Sequence, residues 1–482
     1  MRKWWILISL FSLLAVVAAC AQPTPERVVV KETVEVEKEV VKEVEVVKEV
    51  EKIVEVEREP FPEGTTLHLV QWSHFVPQYD KWFDPFAKAW GDANGVEVKV
   101  DHVAIGDLFP TLTAAIDAGE GPTMVEVLLA GSLFVEGLHD LTDVNMKAQE
   151  LFGPQIDTCT ANSYLPAADM WYGYCHGWVP DPGDYNKELW SQVGFPDGPD
   201  TWADLLEGGA KIRDELGVPM GLGLSPEIDS EMAARAIIWS HGGSIQDENE
   251  CVTINSPEVI EAVNYMAELY DKTMTEEVFA WNAASNNQGL IAGELSYILN
   301  SISAYRSLQK IDPEAADQIF FVDALKGPRG DQHASAHVWQ IYMIPKYVQG
   351  AELEAAKAFL LHHTANYNQA VFNSELYNFP AFKSTTPQLF EEGGWLDIDP
   401  YGSRPKDKLK VLGTAEDWVT YLGYPGPSNP AVARVYATNI ISNMMAQVAK
   451  GEKTAEEAVA DAEAQIEEIF DEWRAKGFVG CK

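Results

Sequence analysis

Positive charge is scarce in this chain. Its 482 residues include 35 lysines and arginines against 74 aspartates and glutamates, which gives a formal net charge of −39 at pH 7. Nucleic acids and anionic lipid surfaces repel a partner of the same sign, so the excess of acid argues against both as ligands. The same excess favours solubility and leaves the chemistry of any binding site open.

Cysteine is also rare, and the sequence patterns of common catalytic centres are missing. The five cysteines form no C-x-x-C pair, and the chain has no H-E-x-x-H, G-x-S-x-G or Walker motif. Zinc, nucleophilic and phosphoryl-transfer chemistry therefore have no motif to support them, and we expect neither a metal nor a cofactor. A surface glycoside hydrolase, with two carboxylates about 5 to 10 Å apart, remains the enzyme alternative because acidic residues are abundant.

The chain starts with an apolar run that is too short to remain in a membrane. Arg2 and Lys3 precede apolar residues 4–17, and small residues follow, which is the layout of a secretory signal. A permanent span needs about 20 residues. The small residues before Cys20 resemble the lipobox of bacterial lipoproteins, so residues 1–19 are predicted to be a signal peptide. Lipid on Cys20 would then hold the protein outside the cytoplasm, at the outer face of the cytoplasmic membrane.

A segment of low complexity follows the predicted anchor. Residues 26–59 consist almost wholly of valine, glutamate and lysine, and the sequence V-V-K-E-V-E occurs twice in succession from Val40. Such a composition offers little surface for a packed core, so residues 20–63 are predicted to form a semi-extended, lipid-anchored stalk. A short coiled coil that dimerises the protein is the alternative. Pro60 and Pro62 end the segment.

From Thr65 onward, strand and helix patterns alternate. The predicted strands are Thr66–Trp72, 96–100 and 124–129, and the predicted helices between them are 79–90 and 108–118. Alternation of this kind is typical of βαβ units with a parallel sheet, whose ligands bind beyond the carboxyl ends of the strands. Roughly 400 residues are too many for one core, so two domains are expected.

Capping residues mark several later helices. Asp200 or Thr201 is expected to cap the helix that follows, and Ser256-Pro257-Glu258 is expected to open another helix. After residue 400 the chain is predicted to be mainly helical, and it ends in the amphipathic segment 455–470.

The remaining cysteines suit an oxidising compartment. Cys159 and Cys175 close a short loop, and a disulfide between them would stabilise the fold by about 3 kcal/mol in the chain-entropy model. We predict this disulfide. Cys251 and Cys481 are the two cysteines that remain. Only their number suggests that they pair, so their pairing stays open.

The order of several short motifs resembles that of a known family. The motifs are Gly121-Pro122-Thr123, Asp184-Tyr185-Asn186-Lys187, Thr201-Trp202-Ala203-Asp204-Leu205, Gly242-Gly243, Asn255-Ser256-Pro257-Glu258 and Gly293-Glu294-Leu295-Ser296-Tyr297. Through nearly all of residues 65–478 the chain resembles the extracellular solute-binding lipoproteins of bacterial ABC importers, in the sugar-binding, maltose-binding-protein-like group (family 1). Residues 174–180 depart from the pattern because they contain cysteine and histidine. The solute can therefore differ from the common sugars of the group.

The resemblance implies an α/β fold of two lobes, each with a parallel or mixed sheet flanked by helices, and a helical C-terminal portion. Lobe one would contain residues 64–176 and 302–365, and lobe two residues 177–301 and 366–482. The lobes would close over a solute by a hinge motion, and membrane permease subunits driven by a cytoplasmic ATPase would recognise the closed state. The protein would bind and release without catalysis.

A site for sugar needs flat aromatic rings for the apolar faces of the pyranose and acids or amides for its hydroxyls. We looked for both where strand ends and lobe crossings are expected to face the cleft. The candidates are Trp72, Phe75, Ser132, Trp178, Asp181, Glu227, Asn300, Ser301, His337, Trp339, Tyr377 and Phe379. Packing within one lobe is the competing interpretation for the tryptophans, and Glu227 could instead start a helix.

The predicted solute is a sugar or oligosaccharide. A polyol, a peptide or a phosphodiester stays open, because the loops that shape the cleft are not determined by these patterns. A tethered structural protein is a third class, which only the stalk suggests.

Overall fold

The computed structural model describes residues 26–30, 52–56 and 60–481. The predicted signal peptide, Cys20 and most of the predicted stalk lie outside the described residues. Two segments of the expected stalk, Glu26–Val30 and Lys52–Val56, pair as antiparallel strands. Within the described ranges, no helix has both the length and the apolar character needed to cross a membrane.

Strands and helices alternate through the first half of the chain, and helices dominate its end. The strands are β1 (Glu26–Val30), β2 (Lys52–Val56), β3 (Thr66–Trp72), β4 (Glu97–Val103), β5 (Met124–Val127), β6 (Tyr164–Leu165), β7 (Met170–Trp171), β8 (Tyr174–Val179), β9 (Gly183–Asn186), β10 (Tyr297–Leu299), β11 (Ile319–Val322), β12 (Ala334–Ser335), β13 (Val338–Met343), β14 (Phe379–Pro380) and β15 (Val419–Thr420). The α-helices are α1 (Gln78–Asn94), α2 (Leu108–Ala118), α3 (Thr142–Phe152), α4 (Asp157–Ala161), α5 (Lys187–Gln192), α6 (Trp202–Lys211), α7 (Ile228–Ser240), α8 (Pro257–Thr273), α9 (Ser285–Ile291), α10 (Ser303–Ile311), α11 (Pro313–Asp317), α12 (Ala351–Ala365), α13 (Tyr367–Asn373), α14 (Pro387–Phe390), α15 (Ala415–Trp418), α16 (Pro430–Ala437), α17 (Ile440–Ala449) and α18 (Ala455–Ala475).

A six-stranded sheet forms the centre of lobe one. Its strand order is β14-β8-β13-β5-β3-β4. Strand β3 lies parallel to β4 and to β5, as the predicted βαβ units require, whereas β13 runs antiparallel to β5 and β8. The sheet is therefore mixed. Every residue of β13 is buried, as expected for a central strand that is covered on both faces.

A smaller sheet forms the centre of lobe two. Its order is β10-β9-β11, and both outer strands run antiparallel to β9. A single parallel bridge, between Gly221 and Ile298, adds a further connection beside β10. Helices α17 and α18 pack against α8, and α17 also packs against α7, so the helical C-terminal portion belongs to this lobe.

Strand pairing shifts the lobe boundaries away from the expected ones. Strand β11 belongs to residues 302–365, which were expected in lobe one, but it pairs with β9 in lobe two. Strand β14 belongs to residues 366–482, expected in lobe two, but it pairs with β8 in lobe one. Strand β8 stays in lobe one as far as Val179. The partner of a strand is chosen by contacts between distant segments, which local periodicity does not contain.

Two disulfides are present in the structure. Cys159 is joined to Cys175 in β8, with 5.7 Å between the Cα atoms. Cys251 is joined to Cys481, with 4.8 Å between the Cα atoms and 230 residues of sequence separation. The first fastens α4 to the central sheet of lobe one, and the second fastens the end of the described chain to lobe two.

Candidate functional site

Polar side chains meet where the chain crosses between the lobes. Asp181 lies in the connection between β8 and β9, Asn300 and Ser301 follow β10, His337 precedes β13, and Tyr377 precedes β14. All five residues are only 0 to 1 % exposed. All five residues are thus closed off from solvent. Asp181 and His337 lie in connections between the two sheets, whereas Asn300 and Ser301 belong to lobe two and Tyr377 belongs to lobe one.

Ring and hydrogen-bond contacts connect these residues with lobe one. The Nδ1 atom of His337 lies 3.3 Å from Oδ1 of Asp181. The ring of Tyr377 lies 6.2 Å from the ring of His337 and 6.3 Å from the indole of Trp72. Burial raises the pKa of the Tyr377 phenol, and the negative charges of Asp229 and Asp181 add to that rise. Tyr377 therefore lies between the aromatic end of β3 and the acids.

An amide network continues the cluster into lobe two. The side-chain amide of Asn300 donates a hydrogen bond to Oδ1 of Asn287. Nδ2 of Asn287 in turn donates to Oγ of Ser303 over 3.0 Å. Nδ2 of Asn286 donates to Oδ2 of Asp229 over 2.9 Å. Sequence reasoning missed Asp229, Asn286 and Asn287. The signal for Asp229 was its place two residues after Glu227, whereas Asn286 and Asn287 begin a short helix without a distinctive pattern.

Three buried aspartates lie in this region. Desolvation by burial raises the pKa of Asp181, Asp184 and Asp229. Asp181 adds a like-charge contribution to the other two, and Glu227 adds one to Asp229. Within residues 60–481, Oδ2 of Asp181, Oδ1 of Asp229 and both oxygens of Asp184 have no hydrogen-bond partner. Such atoms are costly to bury without a partner.

Glu227 occupies the N-cap of α7. Its carboxylate accepts hydrogen bonds from the backbone amides of Asp229 and Ser230, the first over 2.8 Å. The structure thus gives Glu227 the helix-starting role that competed with solute binding in the sequence. Glu227 also borders the cleft, so the two roles share one side chain.

A cavity of about 470 Å³ lies between the lobes beside Glu227. This volume is in the range of small-molecule sites. Lobe one contributes an apolar wall, lobe two contributes the segment before α7, and α16 contributes a tyrosine. The main lining residues are Leu108, Phe109, Leu128, Leu129, Pro226, Glu227, Ile228, Asn282 and Tyr436.

Trp178, Trp339 and Phe379 form a row across three adjacent strands of lobe one. Trp178 pairs in register with Trp339 on one side and with Phe379 on the other, and its ring lies 5.5 Å from that of Phe379. All three are buried. The indole nitrogens of both tryptophans have no hydrogen-bond partner within residues 60–481. This arrangement agrees with packing inside lobe one, the competing interpretation of these residues.

The remaining candidates fall in two places. Trp72 is completely buried at the end of β3, and the partly buried ring of Phe75 meets it edge-on at 5.5 Å. Ser132 is completely buried beside Tyr172 in lobe one. In the described part of the chain, no hydrogen bond or ring contact connects Ser132 to Asp181 or Trp72.

One group of side chains has the residue types of a metal site. Ligand atoms of His74, Asp80 and His102 all lie within 4.8 Å of one another. Nδ1 of His74 is 2.6 Å from Oδ1 of Asp80, and Nε2 of His102 is 2.8 Å from Oδ1 of Asp84. These atoms satisfy one another as hydrogen-bonded pairs, so the group is explained without an ion.

The fold has two lobes with a cavity between them. Residues 81–390 match the family model described as bacterial extracellular solute-binding protein. The chain belongs to that family.

Comparison with individual proteins gives low sequence identity and a shared fold. A binding protein of Brucella abortus (strain 2308) is 25 % identical over 202 residues, which are 40 % of this chain and 48 % of that protein. The chain thus spans about half the length of the curated relatives it matches. Maltose-bound MalE3 of T. maritima has a TM-score of 0.69 at 18 % identity, over 84 % of this chain and 99 % of that one. A solute-binding protein of an ABC transporter from Agrobacterium radiobacter K84, in complex with ribitol, has a TM-score of 0.69 at 17 % identity. The match covers 86 % of this chain and 100 % of that one.

Proposed function

We propose that this protein is the extracytoplasmic receptor of an ABC importer and captures a sugar or oligosaccharide between its lobes. One observation carries the proposal: Trp72 and Tyr377 lie beside the hydrogen-bonding side chains of Asp181 and His337 in a region closed off from solvent. Rings cover the apolar faces of a sugar, and acids and imidazoles bond its hydroxyls. The fold neighbour from T. maritima, which binds maltose, supports this choice of solute.

The capture mechanism follows from the origin of the site residues. Trp72 and His337 come from lobe one, Asp229 comes from lobe two, and Asp181 lies on a crossing between them. A solute that contacts all of them stabilises the closed arrangement over the open one, because only closure makes every contact at once. The permease then recognises the closed arrangement and accepts the solute.

The position of the receptor at the membrane is part of the same proposal. The lipobox-like sequence at Cys20 supplies an anchor at the outer face of the cytoplasmic membrane, and the stalk separates it from the lobes. A tether of this kind keeps the receptor near its permease and raises its effective concentration there. The disulfides suit this oxidising location.

Other solutes and other classes are ranked by the chemistry of the site. A polyol is the second candidate, since the A. radiobacter neighbour binds ribitol. A phosphodiester is disfavoured, because no lysine or arginine in the described part of the chain pairs with Asp181 or Asp229, and an anion bound beside them would lack a counter-charge. A peptide requires no change of mechanism and serves as a comparison in the test. We infer binding without turnover, in keeping with a family of binding proteins rather than hydrolases.

The first test is a thermal-shift screen of the purified protein against mono- and oligosaccharides, polyols, amino acids and peptides. A solute that binds only the native state stabilises it by about 2.7 kcal/mol at a hundredfold excess over its Kd, which raises the melting temperature. We expect a shift with one class of sugar and no product on chromatography. Sugar cleavage would instead support the hydrolase.

Two tryptophan variants locate the site. Trp72 and Trp202 are both almost completely buried, but Trp202 lies in α6 of lobe two, away from the crossings. Trp72→Leu should abolish the sugar-induced shift, whereas Trp202→Leu should lower the melting temperature of the free protein and retain the shift. Equal loss in both variants would contradict the assignment of Trp72.

A further inference from the structure

The site contains more buried carboxyl groups than a neutral solute needs. Asp181, Asp184 and Asp229, here called the site aspartates, are 0, 0 and 7 % exposed. Asp181 interacts electrostatically with Asp184 and with Asp229, and Glu227 interacts with Asp229. Of the four acids, Glu227 also lines the cavity between the lobes.

No lysine or arginine within residues 60–481 forms an ion pair with these four acids. The basic side chain near these acids is His337, and Asp181 is the one of the four that it contacts. Elsewhere in the molecule buried acids do have such partners: Asp399 pairs with Arg306 at 2.8 Å, and Glu231 pairs with Arg235. The site aspartates thus lack the partner that buried charges normally have, as does Glu126 in lobe one, whose ion-pair contact is with His176.

The hydrogen-bond inventory shows which oxygens remain for a solute. Both oxygens of Glu227 are engaged by the start of α7. Asp181 uses Oδ1 toward His337, and Asp229 uses Oδ2 toward Asn286. Oδ2 of Asp181 and Oδ1 of Asp229 are free of partners in the described part of the chain. One free oxygen belongs to the connection between β8 and β9, and the other belongs to α7 of lobe two.

An aromatic ring accompanies the two aspartates. Tyr377 interacts electrostatically with both Asp181 and Asp229, and its ring lies 6.3 Å from that of Trp72. Carboxylates together with the faces of tyrosine and tryptophan are the groups that hold an organic cation, through charge-assisted hydrogen bonds and cation–π attraction.

Resting on the proposed function, we propose that the solute carries a protonated amine on a hydroxyl-rich body, as an amino sugar or an oligosaccharide of amino sugars does. The amine binds Asp181 and Asp229, and the amides of Asn287 and Asn300 bind hydroxyls. Closure around such a solute neutralises the site aspartates. Closure around a neutral sugar leaves them as unpaired buried charges or forces them to take up protons.

The charge of the whole chain agrees with a cationic solute. A formal net charge of −39 produces a negative potential around the protein, which raises the local concentration of cations and speeds their encounter with the cleft. The same potential repels anionic solutes.

The test is isothermal titration of the purified full-length protein with matched pairs of solutes. Glucosamine and its β-1,4 oligomers are compared with glucose and the corresponding neutral oligomers, and putrescine serves as an amine without a sugar body. A hydrogen bond to a charged group contributes about 1.5 to 3 kcal/mol, so the amino sugars should bind about 10- to 100-fold more tightly than their neutral partners.

The outcomes separate this inference from the proposed function. Equal or tighter binding of the neutral sugars overturns the amine and leaves the sugar receptor. Binding of putrescine with no sugar of either kind overturns the sugar receptor and retains the cationic solute. Absence of binding throughout overturns both.

Variants connect the preference to the aspartates. Asp181→Asn and Asp229→Asn should each reduce the ratio of amino-sugar to neutral-sugar affinity about tenfold or more, because each removes a carboxylate that binds the amine and leaves an amide that still bonds hydroxyls. The control is Asp323→Asn, because burial raises the pKa of Asp323 as well but its neighbours are Lys326 and Asp200 rather than the site. An unchanged ratio in both site variants, each with a native melting transition, contradicts the inference.

Discussion

Lys408 shows at the scale of one residue how burial sets the behaviour of a charge. Its ammonium donates to the backbone carbonyls of Ala316 and Asp317, each over 3.1 Å. It also lies 4.4 Å from the centre of the Phe320 ring and 4.9 Å from that of Tyr305. The side chain is 6 % exposed, and loss of hydration lowers the pKa of Lys408 to about 8. The fold therefore holds a lysine whose charged form is less favourable than it would be in water.

This shift predicts a pH dependence of stability. Between pH 8 and the unfolded pKa near 10.5, the unfolded state binds more protons at Lys408 than the native state does. The free energy of unfolding of the wild type should consequently rise with pH across this window, relative to Lys408→Met. Urea unfolding of both proteins at pH 7, 8.5 and 10 measures the difference.

The exposed Lys406 provides the control for this experiment. Lys406→Met removes the same charge from an acidic protein without removing a buried group. If the wild type and Lys408→Met keep a constant difference from pH 7 to 10, the lowered pKa is contradicted.

At the scale of elements, reciprocal caps explain why some helix starts could be read from the sequence. Thr201 accepts from the Asp204 amide, and the Asp204 carboxylate accepts from the Thr201 amide. Thr454 and Glu457 repeat this arrangement at the start of α18. Each cap needs only residues three apart, so the signal is local.

A single substitution tests the cap of the last helix. Thr454→Ala removes the hydroxyl that accepts from the Glu457 amide and should lower the free energy of unfolding by about 1 kcal/mol. Chemical denaturation of both proteins measures it. Thr113→Ala, at an exposed position inside α2, is the matched control and should change stability by no more than about 0.5 kcal/mol. Equal effects of the two substitutions would contradict a capping role.

Local patterns predicted much of the fold and only part of the site. Strand β3 and helix α2 have the predicted bounds, because alternation and helical periodicity lie within each segment. The lobe membership of β11 and β14 was not predictable, since each pairs with a strand far away in sequence. The same reason applies to Asn286 and Asn287, which reach the site only through the packing of lobe two.

At the scale of the whole molecule, the two disulfides close loops of very different length. Cys159 and Cys175 are 16 residues apart, whereas Cys251 and Cys481 are 230 residues apart. A crosslink removes more entropy from the unfolded chain when its loop is longer. The loop closed by Cys251 and Cys481 contains much of lobe two and also strands β13 and β14 of lobe one. This disulfide therefore constrains segments of both lobes in the unfolded chain.

We expect the double serine variants to differ accordingly. Replacing Cys251 and Cys481 should cost about 5 kcal/mol in unfolding free energy, and replacing Cys159 and Cys175 about 3 kcal/mol, by the chain-entropy model. Urea unfolding of the two variants beside the wild type gives both values. A larger loss from the short loop would show that local packing in lobe one outweighs chain entropy.

The burial of the crossing residues also governs how fast a solute can leave. Asp181, His337 and Tyr377 are buried, so a solute bound to them as proposed would have no exit until the lobes separate. The solute then cannot dissociate faster than the lobes open. Hinge motions of domains take microseconds to milliseconds. Solutes that differ widely in their contacts would share this upper limit on release, and a permease that pulls the lobes apart would control unloading directly.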